Sequence, residues 1–505
     1  MSVLRRAARE PEDPLARPVR FIDQRLGAAP MLKKTLSYVF PDHWSFLLGE
    51  IALYAFVMLI ATGTYLAVFF VPSHGESVYH GSFAPLQGAT GSEAYMSTVR
   101  LSFDVPAGLL IRQAHHWAAN IFIAAILIHL MRIFWTGAFR KPREINWLIG
   151  VTMLMLAVVE GFAGYSLPDD LLSGMGLAIA YAVALSLPLI GGQLATLLFD
   201  GRYPGGEDFW PRLFIAHVFI FPVIIGALIA AHLAIIMRQH HAQFPGPGRK
   251  ERNVVGTPLW PGYALRSLGW FAMVAGVIML LGGLVQINPI FQWGPYETWR
   301  STNGAQPDWF LGWLIGALRI MPGWEPRFGG QTWVPNPFFG GALFPLVCFM
   351  VLYLWPWFEQ RFLTRDFQRH DLLDRPRDNP LRTGIGAGFF AWVALVFIAG
   401  SADRILVSVG ISYVGQVWFF RIAVFVAPFV VGRITYNICA ELRDTGRHPL
   451  RGSGLRRLRR SSTGGFEVVS ESVGDRQGAP RPADRGSAAG TTPGEPSRTR
   501  TGELR

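Results

Sequence analysis

Two apolar stretches of the sequence each contain a pair of widely spaced histidines. His115 and His129 lie 14 positions apart in the first stretch, and His217 and His232 lie 15 positions apart in the second. At about 100° and 1.5 Å per residue, the two rings of each pair lie near one helix face, about 21 to 23 Å apart along the axis. Two such helices packed face to face would present two stacked histidine pairs, a common way of holding a haem iron from both sides.

Each histidine taken alone has a simpler interpretation, as a polar side chain satisfied by its neighbours or lining a water-filled cavity. Four histidines with matched spacing on two apolar helices favour haem ligation, because unrelated packing roles have no reason to share a period. His116 follows His115 directly and therefore points about 100° away from the haem-facing side. We expect it to have a packing role.

The composition predicts an all-α polytopic membrane protein. The chain has 505 residues, of which 51% are hydrophobic and 16% charged, with a mean hydropathy of +0.29. Apolar runs of about 20 residues recur along it, each long enough to span a bilayer as a helix. Both cysteines, Cys348 and Cys439, lie within apolar runs, so neither a disulfide framework nor a cysteine metal cluster is expected. The sequence also lacks the CxxCH motif of covalent c-type haem, and its first forty residues show no secretory signal.

Eight membrane helices are predicted, at 45–71, 111–136, 147–166, 210–238, 266–288, 338–358, 384–402 and 416–440. They suggest an N-terminal segment 1–44, a four-helix haem-binding bundle over 45–240 and a C-terminal membrane domain over 241–442. Residues 167–191 are amphipathic and are expected at the membrane interface. The loop 289–337 is rich in Pro, Gly and Trp, and the Arg- and Gly-rich tail 443–505 is predicted to be disordered.

The distribution of positive charge predicts the orientation. With both termini in the cytoplasm, the cytoplasmic segments contain most of the Lys and Arg, as the positive-inside rule requires. This asymmetry and the tail account for the net charge of +12, so no nucleic-acid partner is needed to explain the positive charge. In this orientation His115 and His217 share the outer level of the plasma membrane, and His129 and His232 share the inner level.

Glycines and arginines with matching positions support the haem interpretation. Glycine allows close approach to the backbone, here by a porphyrin edge, although ordinary packing of small residues is the alternative. The first and third helices each carry two glycines 14 positions apart, placed at the inner and then the outer level: Gly49, Gly63, Gly150 and Gly164. Arg112 and Arg132 flank the histidines of the second helix and suit haem propionates, or alternatively snorkel to the membrane surface.

Several motifs together resemble cytochrome b, the haem-bearing subunit of quinol:cytochrome c reductase, in its actinobacterial form. They are RQAHHW at 112–117, the two histidine pairs, GYSLPDD at 164–170 and QPDWF at 306–310. The stretches HWSFLLGE at 43–50 and QFPGPGRKERNVVG at 243–256 and the RPRDNPLRT loop near 380 are also similar to this branch. The resemblance covers about residues 30–440. It implies two haems b, quinol oxidation at an outer site and quinone reduction at an inner site.

The resemblance also implies specific site residues. QPDWF corresponds to the family's PEWY signature, which assigns the outer site to Pro307, Asp308, Trp309 and Phe310, facing Tyr165 and Gly176. Asp308 stands where many members have Glu, and Phe310 lacks the usual hydroxyl, so a water or another acid is an alternative route for the proton. Asp308 has a second interpretation, as a cap of a short helix. The inner-site positions are Trp44, His240 and Arg266, followed by Ser267 where a carboxylate often lies.

Partners follow from the same resemblance. This chain has too few cysteines to hold an iron–sulfur cluster, so we expect a Rieske iron–sulfur subunit, a c-type cytochrome subunit and a terminal oxidase in a supercomplex. Membrane lipid, a homodimer and menaquinol as the substrate are expected as well. Two alternatives stay open at this point: another bis-histidine membrane cytochrome, such as a dehydrogenase or hydrogenase anchor, and a non-redox transporter or channel that uses histidines for protons.

Overall fold

The computed structural model describes Phe21 and residues 23–301, 306–447, 455–460 and 466–471. Within these residues, eight helices are long and apolar enough to cross a membrane, which confirms the predicted number. They are α2 (Trp44–Phe69), α4 (Gly108–Trp135), α5 (Glu144–Ser166), α8 (Phe209–Gln239), α9 (Leu259–Leu284), α12 (Phe338–Thr364), α13 (Pro380–Asp403) and α14 (Tyr413–Asp444).

The lengths and surfaces of these helices fit a bilayer. They contain 23 to 32 residues, and at about 1.5 Å per residue even the shortest exceeds the roughly 30 Å hydrocarbon core. Large apolar side chains remain exposed on their outer faces, among them Leu284, Phe425 and Phe429, each at least 74% exposed. Such a surface is stable only against lipid or protein. The chain is therefore a multi-pass membrane protein.

Shorter elements connect the membrane helices. The helices are α1 (Ala28–Leu36), α3 (Glu93–Phe103), α6 (Leu171–Leu185), α7 (Gly191–Phe199), α10 (Ile290–Trp293) and α11 (Gly312–Ile320). Four two-stranded antiparallel pairs join β1 (Val39–Pro41) to β4 (Gly256–Pro258), β2 (Glu76–Val78) to β3 (Thr90–Ser92), β5 (Arg327–Phe328) to β6 (Gln331–Thr332) and β7 (Leu455–Arg460) to β8 (Phe466–Glu471). Residues 167–191, which were predicted to lie at the membrane interface, include α6 and the start of α7. Both helices are too short to span the membrane.

The first four membrane helices and α9 form the main core. α4 packs against α2, α5 and α9, and α5 also packs against α8. Small residues such as Ala55, Ala118 and Val151 are fully or almost fully buried where these helices meet. Small side chains let helix backbones approach closely, which is the usual basis of helix packing in membranes.

The C-terminal helices pack in the same way. α11 lies against α13, where Gly316 faces Val396 and Gly400. A β-carbon on Gly316 would lie 1.7 Å from the carbonyl oxygen of Val396, so only glycine permits this contact. The loop predicted at 289–337 thus contains a helix, α11, that is fixed to the membrane domain.

The chain divides into two compact units, Met1–Glu441 and Leu442–Arg505. In the second unit, α14 is helical as far as Arg447, and the β7–β8 pair is described. The rest of the tail predicted to be disordered lies outside the described residues. So do residues 1–20 and 22 of the predicted N-terminal segment.

Candidate functional site

His115 on α4 and His217 on α8 meet inside the bundle. Their ring centroids are 6.2 Å apart, with the ring planes at 83°. A β-carbon on Gly63 of α2 would lie 3.1 Å from His115 Cε1, and one on Gly164 of α5 would lie 2.4 Å from His217 Cε1. These two glycines therefore let the two rings lie close against the backbones of α2 and α5. We call this set the His115 level.

Each ring at the His115 level has a polar neighbour on its Nδ1 side. Oγ1 of Thr62 lies 2.9 Å from Nδ1 of His115 and also donates to the carbonyl oxygen of Met58. Because that hydroxyl proton is already used, Thr62 accepts from Nδ1–H and leaves Nε2 of His115 free for a metal. Oε1 of Glu160 lies 2.9 Å from Nδ1 of His217.

Sequence reasoning missed both Thr62 and Glu160. A signal existed for Glu160, because an acid in the middle of an apolar helix is costly and so marks a functional position. His217 also lies in a π-helical turn, Ala216–Ile220, within α8. Such turns are rare and frequently occur at functional sites.

His129 on α4 and His232 on α8 form the second level, which we call the His129 level. A β-carbon on Gly49 of α2 would lie 3.2 Å from Cε1 of His129. The buried Nδ1 atoms of both histidines have no hydrogen-bond partner among the described residues, and the two rings are near enough to interact electrostatically. Gly150 of α5 differs from the other three glycines, because its nearest neighbour is Leu130, 4.0 Å from a built β-carbon.

Arg112 and Arg132 are both largely buried and only partly satisfied. Arg112 donates to Ser102 Oγ at 3.1 Å and to the carbonyl oxygen of Asn288 at 3.3 Å. Arg132 donates to Ser45 Oγ at 3.2 Å. One terminal nitrogen of each guanidinium is buried without a partner in the described part of the chain. A buried cation with a free donor is suited to an anionic group such as a haem propionate.

The two levels together fit two b-type haems. Each level has two facing histidines, at least one glycine packed against a ring, and a buried arginine with one unpartnered nitrogen among the described residues, as a bis-histidine haem would require. His115, His217, His129 and His232 would hold the irons, with Arg112 and Arg132 beside the propionates. With this arrangement, the bundle can support electron transfer across the membrane.

A cavity of about 450 Å³ is lined in part by residues of α5, the helix that contributes Gly164 to the His115 level. Tyr165, which follows Gly164, lines it together with Gly176 of α6 and Pro307, so three predicted outer-site residues do meet. The hydroxyl of Tyr165 is buried and has no hydrogen-bond partner among the residues described. The other lining groups are mostly apolar, with one ion pair, Arg319–Asp403, at 2.7 Å. An apolar cavity with few polar groups suits a quinone ring.

Asp308, Trp309 and Phe310 are not among the residues that line this cavity. Nε2 of His116 lies 2.6 Å from Oδ2 of Asp308. Phe310 is buried against Gly161 of α5, while Trp309 is 37% exposed. Asp308 occupies the cap position of the turn at 309–311, but its side chain makes no capping hydrogen bond within the described residues. The cap interpretation therefore lacks the contact that it requires, and the expectation that His116 only packs missed its contact with Asp308.

Two further acids, Asp169 and Asp170, begin the segment that covers the cavity. Asp170 is fully buried and caps α6, its Oδ2 accepting from the amide of Leu172 at 3.2 Å. Burial raises the pKa of Asp170 to about 6. Asp169 lies 3.0 Å from Nδ1 of His74, and this hydrogen bond raises the pKa of His74 above its ordinary value. Both contacts hold the start of α6 in place.

The predicted inner-site residues are not all brought together. His240 lines a cavity of about 900 Å³ with His241, Tyr38 and Arg238. Trp44, which is 70% exposed, and Arg266, which pairs with Asp42 at 3.1 Å, are not among the residues that line it. His241 was missed by sequence reasoning: its Nδ1 lies 3.2 Å from the hydroxyl of Tyr38. Burial, the main cause, and nearby Arg132 and Arg143 lower the pKa of His241 to about 3, so it is neutral.

Comparisons of the chain with known proteins agree on one family. The model of the family described as cytochrome b (N-terminal)/b6/petB matches residues 120–295. The cytochrome bc1 complex cytochrome b subunit of Mycobacterium leprae is 47% identical over 86% of this chain and 78% of its own length. The corresponding subunit of Mycobacterium tuberculosis is 46% identical over 93% and 85%, and that of Streptomyces coelicolor is 44% identical over 90% and 83%.

A solved structure, described as hyperthermophilic respiratory Complex III, has the same fold. It superposes with a TM-score of 0.61 at 20% sequence identity, covering 83% of this chain and all of that chain. The identity is low enough that this likeness supports the fold alone. The sequence relatives, the paired histidines on α4 and α8 and the shared fold agree, and the chain belongs to the cytochrome b family as the cytochrome b subunit of a cytochrome bc1 complex, a quinol:cytochrome c reductase.

Proposed function

We propose that quinol is oxidised in the cavity beside the His115 level and that quinone is reduced on the His129 side of the membrane. One electron from each quinol passes to an iron–sulfur partner, and the other crosses the bundle from the His115 level to the His129 level. The N- and C-termini lie in the cytoplasm, because this orientation gives the cytoplasmic loops their excess of Lys and Arg. The membrane is the plasma membrane.

One observation carries the outer-site proposal: a residue of the His115 level and a residue that lines the cavity are neighbours in the chain. Gly164 packs against His217, and the next residue, Tyr165, lines the cavity opposite Gly176 and Pro307. A quinol bound there lies next to the metal-binding pair, so an electron has a short distance to travel. The alternatives of an anchor cytochrome and a transporter give no reason for a cavity at this place.

The residues of the bundle hold and insulate the cofactor. Two haems b, when bound, accept and donate single electrons. His115 and His217 would hold one iron and His129 and His232 the other, while Arg112 and Arg132 would neutralise propionates. Thr62 and Glu160 orient the rings of the outer pair, as partners of metal-binding histidines usually do. Gly49, Gly63 and Gly164 leave space for the macrocycles. Gly150 is proposed for the same role only because it lies 14 positions before Gly164, the spacing that Gly49 and Gly63 also have.

Proton transfer at the outer site is assigned to Tyr165 and Asp308. Tyr165 lines the cavity, and its hydroxyl lies within electrostatic range of Asp308. His116 holds one carboxylate oxygen of Asp308 in position at 2.6 Å. A carboxylate held in a fixed position by such a contact is suited to act as a base. Asp308 would accept the proton that leaves the quinol and release it to the outer surface.

Inner-site quinone reduction is proposed for the cavity lined by His240. Trp44 and Arg266 are assigned to the same site by family correspondence alone. The partners are a Rieske iron–sulfur subunit and a c-type cytochrome subunit, which family membership implies. A terminal oxidase in a supercomplex, a homodimer, contact with membrane lipid and menaquinol as the quinol complete the proposal.

Filling the outer cavity tests this function. A β-carbon on Gly176 would lie 3.4 Å from Tyr165, so Gly176→Phe places a ring in the cavity. The purified complex is mixed with menaquinol, and reduction of the b haems is followed by absorbance. We expect Gly176→Phe to slow this reduction at least 10-fold, while dithionite still reduces both haems.

Gly192 provides a matched control, because it lies on α7, is exposed and has no atom within 4 Å of a built β-carbon. Gly192→Phe should reduce its haems at the parental rate. If Gly176→Phe is reduced by menaquinol as fast as the parent, quinol is not oxidised in this cavity.

A further inference from the structure

A carboxylate and three hydroxyl groups meet between α2 and α9. Oε2 of Glu50 accepts from the hydroxyl of Tyr54 at 2.9 Å and from Oγ of Ser267 at 3.2 Å. Oε1 accepts from the hydroxyl of Tyr263, and Tyr54 and Ser267 also contact each other. All four side chains are half-buried. Both oxygens of Glu50 are therefore held by hydroxyl groups within a membrane-spanning part of the chain.

The cluster lies beside the His129 level. Glu50 follows Gly49, the residue that packs against His129. Tyr263 stacks on Phe40 with ring centroids 3.9 Å apart, and Phe40 in turn lies 5.0 Å from the ring of His241, which lines the inner cavity. The cluster is thus placed between the inner metal-binding pair and the wall of that cavity.

Helix packing alone does not account for these residues. An acid within a membrane helix costs several kcal/mol relative to an apolar side chain, and α2 and α9 could be joined by apolar contacts at no such cost. A carboxyl group surrounded by hydroxyls can change its protonation state without losing its hydrogen bonds, because hydroxyls both donate and accept. The arrangement is suited to storing and passing a proton.

We propose that Glu50 supplies a proton to the quinone that is reduced at the inner site, a step that rests on the proposed function. Position 267, where the family often has a carboxylate, is a serine, and the carboxylate that faces it comes from α2. Quinone takes up two electrons from the haem-bearing bundle and two protons. Glu50 is not among the residues that line the cavity, so the proton released when its O–H bond breaks passes through water to the quinone, where one quinol O–H forms. The second proton comes from water in the cavity, and cytoplasmic water restores the proton on Glu50 through the hydroxyls.

Glu50→Gln tests the proposal in the purified complex, because glutamine keeps the size and an acceptor oxygen but cannot give up a proton in this way. The b haems are first reduced with menaquinol and then mixed with excess menaquinone, and their reoxidation is followed by absorbance. A parallel sample that also carries Gly176→Phe is reduced with dithionite instead, so that its blocked outer site takes no part in reoxidation. Losing a general acid usually costs about 10²-fold. We expect reoxidation in Glu50→Gln to slow by that factor, with the initial menaquinol-driven haem reduction unchanged.

A second measurement separates proton donation from a purely structural role. The redox-induced infrared difference spectrum of the parent should contain a carboxyl C=O band that disappears in Glu50→Gln and persists in Ser267→Ala. Glu144→Gln is the matched control, since Glu144 also lies in the first turn of a membrane helix at the same side, and it should keep both the band and the parental reoxidation rate.

Two results would overturn the proposal. Reoxidation of Glu50→Gln within a factor of two of the parent would show that the proton comes from elsewhere. An unchanged infrared spectrum would show that Glu50 does not change protonation, even if the variant is slow through altered packing. Failure of the parent itself to reoxidise its haems with menaquinone would instead contradict the proposed inner-site function.

Discussion

Nε2 of His116 lies 2.6 Å from Oδ2 of Asp308, although 192 positions separate the two residues in the chain. Each side chain is 14% exposed. The contact joins α4, immediately beside the proposed haem ligand His115, to the loop that contains the PDWF sequence. His116 thereby fixes the direction of the Asp308 carboxylate at the proposed outer site, whereas the sequence alone predicted only a packing role for His116.

Asp308→Asn tests the role of this carboxylate. Asparagine still accepts a hydrogen bond from His116 but cannot accept a proton, so the variant should keep both haems and most of its quinol affinity. We expect quinol turnover to fall about 10²-fold, the usual scale for loss of a general base. Steady-state quinol oxidation by the purified complex measures it. Turnover within a factor of two of the parent would assign proton acceptance to another group.

Removal of an inner ligand should remove one haem. His129→Ala leaves His232 without its partner across the bundle, while His115 and His217 are untouched. A pyridine haemochrome assay should find two haems b in the parent and one in the variant. Ile128→Ala, a change at an exposed neighbour, serves as the control and should retain two. One haem or none in the parent would contradict the assignment of two histidine pairs.

The His74–Asp169 contact should make stability depend on pH. The pKa of His74 is raised chiefly by its hydrogen bond to Asp169, so the folded state binds the proton more tightly than the unfolded state. The stabilisation is present below about pH 6.5 and is lost as the pH rises through the higher folded value. Because His74 is 40% exposed, solvent screening limits it to about 1 kcal/mol.

Thermal unfolding of the parent and of His74→Asn, measured at about pH 6 and pH 8, checks this sign. The parent should be more stable than the variant at the lower pH, and the difference should shrink at the higher pH. Asp169→Asn should behave like His74→Asn. A difference that grows with pH would show that the histidine is not stabilised in its protonated form.

The ion pair between Arg382 and Glu359 should be important for stability. The two side chains are 1% and 3% exposed, with Nη2 of Arg382 2.5 Å from Oε1 of Glu359. Arg382→Met would leave Glu359 buried without its counter-ion, which typically costs about 3 to 5 kcal/mol. Loss of the haem absorbance on heating measures the effect. Adding Glu359→Gln to Arg382→Met should restore much of the stability, whereas a double variant no better than the single one would point to packing.

Deletion of residues 450–505 should leave electron transfer intact. The segment is rich in Arg, Gly, Ser, Thr and Pro and is too poor in large apolar residues to form a core. It also belongs to a compact unit separate from Met1–Glu441, which contains all four metal-binding histidines. Quinol oxidation and haem content of the truncated complex should match those of the full chain. Lost turnover with both haems present would show that this segment docks a partner.

The sequence by itself predicted the membrane helices and the pairing of the four histidines. Apolar runs of about 20 residues must become helices in lipid, because each backbone polar group has to be satisfied within its own segment. Once the helices are known, a spacing of 14 or 15 positions places His115 and His129, or His217 and His232, on one face by the helical period alone. Both inferences depend on local geometry.

Only the tertiary structure decided which polar groups meet. Glu50 contacts Tyr263, which is 213 positions away in the chain. His116 contacts Asp308 from a face of α4 other than the one that carries His115 and His129. Likewise, Pro307 lines the outer cavity, while the next residue, Asp308, is not among its lining residues. Contacts of this kind depend on how helices rotate and cross when small residues such as Gly316 let them pack, and no local period in the sequence encodes that rotation.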